Sequence, residues 1–170
     1  MSAFRLDMRR YNQKADLYTK SLLFSYRKYF ESKFGLSKIL YKIIFRILAS
    51  SRGIEISLRH EIGPGLYIGH AYNITINPNA IIGANCNLHK GILIGQQNRG
   101  PRKGSPVIGD SVWIGINAAI VGNVRIGDDV LIAPNSYVNC DVPAHSVVFG
   151  NPCIIKHRDN ATECYVNNQV

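Results

Sequence analysis

The sequence has 170 residues, enough for one compact domain and an appendage, and 46% of them are hydrophobic, which supports a sizeable core and excludes a disordered chain. Its net charge of +9 belongs to one end: residues 1–52 hold 12 of the 20 Lys/Arg and 3 of the 11 Asp/Glu, and the remainder is balanced at 8 and 8. No helix-turn-helix, zinc or base-stacking motif accompanies the charge, so a nucleic-acid partner has little to rest on. Cys86, Cys140, Cys153 and Cys164 show no metal-ligand spacing and read as reduced thiols. Residues 1–14 contain no apolar stretch of the kind a signal peptide needs, and the expected location is cytoplasmic.

Residues 15–50 read as two helices. Leu17, Leu22, Phe24, Tyr29, Phe30 and Phe34 mark the first. Gly35 breaks it, and Ser37 is placed to cap the second. There Ile39, Leu40, Ile43, Ile44, Ile47 and Leu48 recur at helical spacing, with Lys38, Lys42 and Arg46 four apart on another face. The apolar face is expected to pack on the next domain or on a sister subunit, or else to lie on an anionic membrane surface as a peripheral contact. A spanning helix is excluded, because Lys42 and Arg46 interrupt a run already shorter than the ~20 residues required.

After Gly53 an aliphatic residue recurs every six positions: Ile56, Ile62, Ile68 and Ile74. The frame slips by two and resumes at Ile76, Ile82, Leu88 and Ile94, then returns after a loop as Ile108, Ile114, Ile120, Ile126, Ile132 and Val138. Small or apolar residues sit four places on, at Ala80, Cys86, Val112, Ala118, Val124, Val130, Ser136 and Val142. A period of six fits neither a helix nor a simple alternation. It fits short strands joined by tight corners and stacked as parallel coils, with the aliphatics pointing inward. Glycine follows the aliphatic at seven places, 63, 69, 83, 95, 109, 115 and 127, and is expected to supply unusual backbone angles at the corners. The loop 96–106 (QQNRGPRKGSP) carries Arg99, Arg102 and Lys103 without an acid and is expected to be extruded. From Asp159 the tail is polar and expected to fray. The chain thus divides into a basic helical segment (1–52), a β-helix (53–157) and a tail (158–170).

The stretches GIEIS from Gly53, IGPGLYIGH from Ile62, ITINPNAIIG from Ile74, VIGDSVWIG from Val107 and VFGNPC from Val148 resemble the hexapeptide-repeat acyltransferases. The likeness is to their serine acetyltransferase branch and its relatives that O-acetylate bacterial surface sugars. It implies a mainly β fold, a left-handed parallel β-helix. It also implies acetyl-CoA as co-substrate, a hydroxyl acceptor, and a homotrimer with active sites between subunits, a closed heterologous ring.

His70 is the candidate general base: it follows Gly69 at a corner, beside the frame slip, and occupies the place of the family's catalytic histidine. An imidazole that titrates near neutrality suits removal of a hydroxyl proton during attack on a thioester. Glu55, 15 residues earlier and nearly one 18-residue coil away, is the candidate to orient it, where the family has Asp. His89 is a rival base one coil on, read as solvent-facing. His70→Ala is expected to abolish turnover and His89→Ala to spare most of it. By resemblance, backbone groups of Gly95, Ile116, Pro134 and Asn139 bind pantetheine. Arg102, Lys103 and Lys156 are candidates for the CoA phosphates. Trp113 reads as packing.

Two departures bear on the acceptor. The family's Asp before the histidine, which holds an amino-acid substrate, is Gly69 here, and its second histidine is Ser105. With the ammonium partner missing, a sugar hydroxyl is the favoured acceptor and serine the alternative. A zinc carbonic anhydrase of the same fold is disfavoured, because His60, His70, His89, His145 and His157 lack the paired spacing of a three-histidine site. A non-catalytic scaffold, docked through the basic helices, is the remaining class.

Overall fold

A computed structural model describes residues 1–170. The six-residue period becomes triangular coils. The first coil carries β1 (Tyr67–Gly69), β2 (Thr75–Ile76) and β3 (Ile81–Ile82); the second β4 (Asn87–His89), β5 (Leu93–Gly95) and β6 (Val107–Ile108). The third carries β7 (Trp113–Ile114), β8 (Ala119–Val121) and β9 (Arg125–Ile126), the fourth β10 (Val130–Ile132) and β11 (Tyr137–Val138). Strands β12 (Ser146–Phe149) and β13 (Ile154–His157) close the stack.

Every third strand stacks in parallel. One sheet runs β1-β4-β7-β10-β12, with β13 antiparallel at its edge; a second runs β2-β5-β8-β11; a third runs β3-β6-β9. The architecture is the left-handed parallel β-helix. The register pairs the aliphatics the period singles out: Ile68 with Leu88, Leu88 with Ile114, Ile114 with Ile132, and Ile132 with Val148. Leu88, Ile94, Ile114, Ile120, Ile132 and Val138 are fully excluded from solvent, and burying each side chain stabilises by about 1.5–3 kcal/mol.

The glycines behave differently from expectation. Left-handed corner angles fall on Asn73, Asn85, Ser111, Asn117, Asp129 and Asn135, with φ between 50° and 59°. Asn and Asp tolerate that region because their short side chains bond locally. The glycines after the aliphatics serve close approach between coils instead: a Cβ on Gly109 would stand 3.0 Å from the Asp128 backbone nitrogen, inside contact distance.

Three helices precede the coils, α1 (Ala3–Arg10), α2 (Leu17–Glu31) and α3 (Gly35–Ser51). Helix α1 was not expected. Asp16 caps α2 by accepting from the Thr19 backbone N–H at 3.1 Å. Gly35 opens α3 rather than separating two helices, and Ser37 lies inside it, its hydroxyl donating to the Phe34 carbonyl. Helix α3 turns Phe45 and Ala49 into the protein, whereas Leu36, Ile39, Leu40, Ile43 and Ile47 are exposed on the single chain. No helix is long and apolar enough to cross a membrane.

The helices are tied to the first coil by a buried ionic cluster. Arg27 and Asp7, both with side chains at 0% exposure, pair at 2.7 Å. Arg27 also donates to the Ile62 and Gly63 carbonyls and to Glu61, and Asp7 accepts the Leu66 N–H at 2.9 Å. Burial pushes the Asp7 carboxyl above its ordinary range despite the guanidinium beside it.

The tail does not fray. Ala161, Thr162 and Val166 are buried. Asn85 clasps Val170 in both directions, at 3.0 and 2.9 Å, and the Asn87 amide donates to the Tyr165 carbonyl. Asp129 accepts from the Ala161 N–H and from the N–H and hydroxyl of Thr162. Partial burial opposes these bonds, but they and His145 hold the Asp129 carboxyl below its ordinary range. A depressed carboxyl contributes stability above its unfolded pKa and loses it as pH falls through the folded one. Tail docking is therefore expected to persist at about pH 5 and to weaken only below about pH 4, which amide hydrogen exchange of residues 161–166 would report.

Candidate active site

The first coil is longer than the third: Ile68 and its stacked partner Leu88 are 20 residues apart, whereas Ile114 and Ile132 are 18 apart. The extra length lies in the corner after β1, which begins at His70. His70 has φ 57°, and Tyr72 donates its N–H back to the His70 carbonyl at 2.7 Å. A non-glycine residue in the left-handed region is held there by its surroundings and is a recurrent feature of functional sites. Here Asn73 donates to the Arg52 carbonyl at 2.9 Å, and the Arg52 guanidinium lies over the rings of Tyr72 and Tyr18. The His70 side chain is exposed at the edge between the first and second sheets.

His89 is half-buried on the outer face of the first sheet rather than freely solvent-facing. It is the register partner of Gly69, and its ring leans over that glycine: a Cβ at Gly69 would sit 2.5 Å from Nδ1. The ring packs on Trp113, centroids 4.7 Å apart, and Nε2 is buried without a hydrogen-bond partner. Burial, with the adjacent His70 adding to it, pushes the imidazole below its ordinary pKa, so it is neutral at pH 7. The side chain of the family's Asp would collide with this ring, which accounts physically for Gly69. Gly69→Ala is expected to destabilise the fold by about 1–3 kcal/mol through overpacking, and Gly69→Ala/His89→Ala to recover most of it, as thermal denaturation would show.

Glu55 is placed differently. It bridges to Thr75 on the second sheet and lines a cleft of about 520 Å³ with Phe45, Arg46 and Pro78. The histidine–carboxylate contacts within the chain are His145–Asp129 at 2.8 Å and His157–Asp159 at 3.2 Å. Glu55 and His70 thus form no ion pair or hydrogen bond within one chain.

The donor candidates bracket the second sheet. Ile116 and Pro134 follow β7 and β10 at the edge that His70 occupies, while Gly95 ends β5 and Asn139 follows β11 at the opposite edge. Their backbone groups also tie coils together: Asn135 donates to the Ile116 carbonyl and Gly122 to the Gly95 carbonyl. The extruded loop closes as a hairpin through reciprocal bonds between Gln97 and Gly104. It carries an exposed Lys103 and a half-buried Arg102 that stands 3.9 Å from Asp141. Ser105, where the second histidine would fall, donates to the Asn77 side chain at 3.0 Å. Lys156 stands apart on β13, over the Phe149 ring. No group of three or more His, Cys, Asp or Glu side chains converges to hold a metal within the chain.

A second cleft, about 440 Å³, opens beside His89 on the outer face of the first sheet. Helix α1, the strands and the docked tail form its walls. Nothing in the sequence marks this lining, because the polar tail carries no periodic apolar face.

Comparison with known proteins places these features. Residues 105–140 match the family model "Bacterial transferase hexapeptide (six repeats)". The serine acetyltransferase of Staphylococcus aureus is 32% identical over 139 residues, covering 82% of this chain and 63% of that protein. That of Synechococcus elongatus is 32% identical over 106 residues, covering 62% and 43%. The chain therefore spans 43–63% of these relatives' length. Among solved structures, Neisseria gonorrhoeae serine acetyltransferase superposes with a TM-score of 0.72 at 25% identity, covering 92% of this chain and 64% of that one. The soybean apoenzyme shares the fold with a TM-score of 0.72 at 23% identity, covering 91% and 68%.

Proposed function

This chain belongs to the hexapeptide-repeat superfamily, and from that premise we propose that it is an acetyl-CoA-dependent O-acetyltransferase with His70 as its general base. The observation that carries the reading is His70 itself, an exposed imidazole fixed at a left-handed corner on the edge of the sheet that the donor candidates bracket. The acceptor hydroxyl gives its proton to the imidazole as its oxygen bonds to the thioester carbonyl carbon. The tetrahedral intermediate collapses, the carbon–sulfur bond breaks, and the imidazolium returns the proton to the departing CoA thiolate. Gly95, Ile116, Pro134 and Asn139 supply backbone groups for the pantetheine arm, and Arg102, Lys103 and Lys156 the cations for the CoA phosphates. The proposal includes a homotrimer, in which Glu55 reaches an imidazole only if a neighbour completes the site.

The names of the relatives support serine as acceptor better than a surface carbohydrate, and a gonococcal relative was solved in complex with serine. One observation favours an uncharged hydroxyl instead: a neutral His89 ring fills the place of the carboxylate that would meet an ammonium. Release of CoA thiol from acetyl-CoA, measured against serine and a panel of free and N-acetylated sugars, tests both readings. Thiol release that depends on a hydroxyl acceptor supports the transferase reading and identifies the acceptor; none with any acceptor would overturn it.

A further inference from the structure

The cleft beside His89 has an unusual lining. Tyr67, Trp113 and Tyr165 present aromatic rings, with Trp113 and Tyr165 centroids 5.2 Å apart, and Asn87, Asn167 and Asn168 contribute amides. Its charged side chains are Arg10 and Lys14, and no carboxylate lines it. Arg10 is spent internally, on the Gly65 and Asn167 carbonyls and the Asn87 amide oxygen. At its wall the buried Nε2 of His89 has no partner. An unmet polar atom of this kind is satisfied when a ligand supplies a hydroxyl.

We propose that this cleft, walled by the docked C-terminal tail, is a carbohydrate subsite that seats a pyranose acceptor in the angle between the Trp113 and Tyr165 rings, next to His89. Three features select that ligand over a free amino acid. Flat aromatic rings match the apolar face of a sugar ring. The Asn167 and Asn168 amide nitrogens donate to the Cys164 and Arg10 carbonyls, which leaves their side-chain oxygens as acceptors for ring hydroxyls. An ammonium group finds no opposite charge here and would meet Lys14 instead. The tail is part of the device: the Asn87 side-chain amide donates to the Tyr165 carbonyl and so fixes the residue whose ring stands at 66° to Trp113. The proposal rests on the acetyl-transfer reading for the sugar's role as acceptor, but binding at the cleft can be measured without that reaction.

Trp113 is the only tryptophan of the chain, so intrinsic fluorescence reports directly on the cleft. The full-length protein is titrated, without acetyl-CoA, with methyl glycosides of hexoses and N-acetylhexosamines and separately with L-serine. A saturable change with at least one glycoside and none with serine is expected. Tyr165→Ala, a half-exposed tail position, is expected to weaken glycoside binding about three- to tenfold with an unchanged melting temperature and, in turnover, an unchanged KM for acetyl-CoA. A response to serine alone, or to no compound, overturns the subsite, as would Tyr165→Ala binding glycosides like the parent. The two readings fail separately. Glycoside binding without acetyl transfer keeps the subsite and sinks the transferase, whereas acetyl transfer to serine with no glycoside response does the reverse.

Discussion

Arg27→Met is expected to cost about 3–5 kcal/mol of folding stability, because it strands a carboxylate inside the protein. Asp7 and Arg27 are fully buried, and the guanidinium also answers the Ile62 and Gly63 carbonyls at the start of the β-helix. Removal of the cation leaves Asp7 with the Leu66 N–H as its remaining partner at 2.9 Å. For a chain of this size that loss lowers Tm by about 6–20 °C. The double variant Asp7→Leu/Arg27→Met removes both charges and is expected to regain much of the loss, since paired apolar replacements of buried ions are often neutral. Circular dichroism melts of the two variants check this. A single variant that melts within about 2 °C of the parent would mean that the helices are not anchored through this pair.

The largest effect on chemistry is expected from His70→Ala. Loss of a positioned general base typically lowers turnover about 10²–10⁴-fold. The KM for acetyl-CoA should change little, because His70 is not among the residues proposed to hold the pantetheine arm or the CoA phosphates. His89→Ala should spare most of kcat and act on acceptor KM, since its ring borders the cleft. Steady-state kinetics on both variants distinguish the two histidines, and the reverse ranking would remove His70 from the base role.

These expectations divide along what the chain makes visible. The aliphatic frame from Ile56 to Val138 is legible because inward stacking demands one apolar residue per strand at fixed spacing, and the register of Ile68, Leu88, Ile114 and Ile132 follows it. The placement of Glu55 was not legible. Its distance from His70 was counted on an 18-residue coil, but the corner at His70 lengthens the first coil to 20, so Glu55 stacks on Thr75. The tail misled for a related reason. It docks through side-chain amides and the Asp129 carboxylate rather than through a periodic apolar face, and such pairings leave no pattern in composition. His89 reads as a surface residue until the register sets it over Gly69, where the missing Cβ lets the ring lie against the sheet and on Trp113. Helix α3 shows the converse. Its apolar period is plain in the sequence, yet the period does not say which face turns to the core, and Phe45 and Ala49 take that side.

The central claim is acetyl transfer at His70, and isotope transfer tests it most directly. The protein and its His70→Ala variant are incubated in parallel with acetyl-CoA labelled in the acetyl group and with the acceptor that best stimulates thiol release. The account predicts label in an O-acetyl ester of the acceptor with the parent protein and only background with the variant. Label that stays on CoA with the parent, or that passes to the acceptor equally well with both proteins, would contradict it.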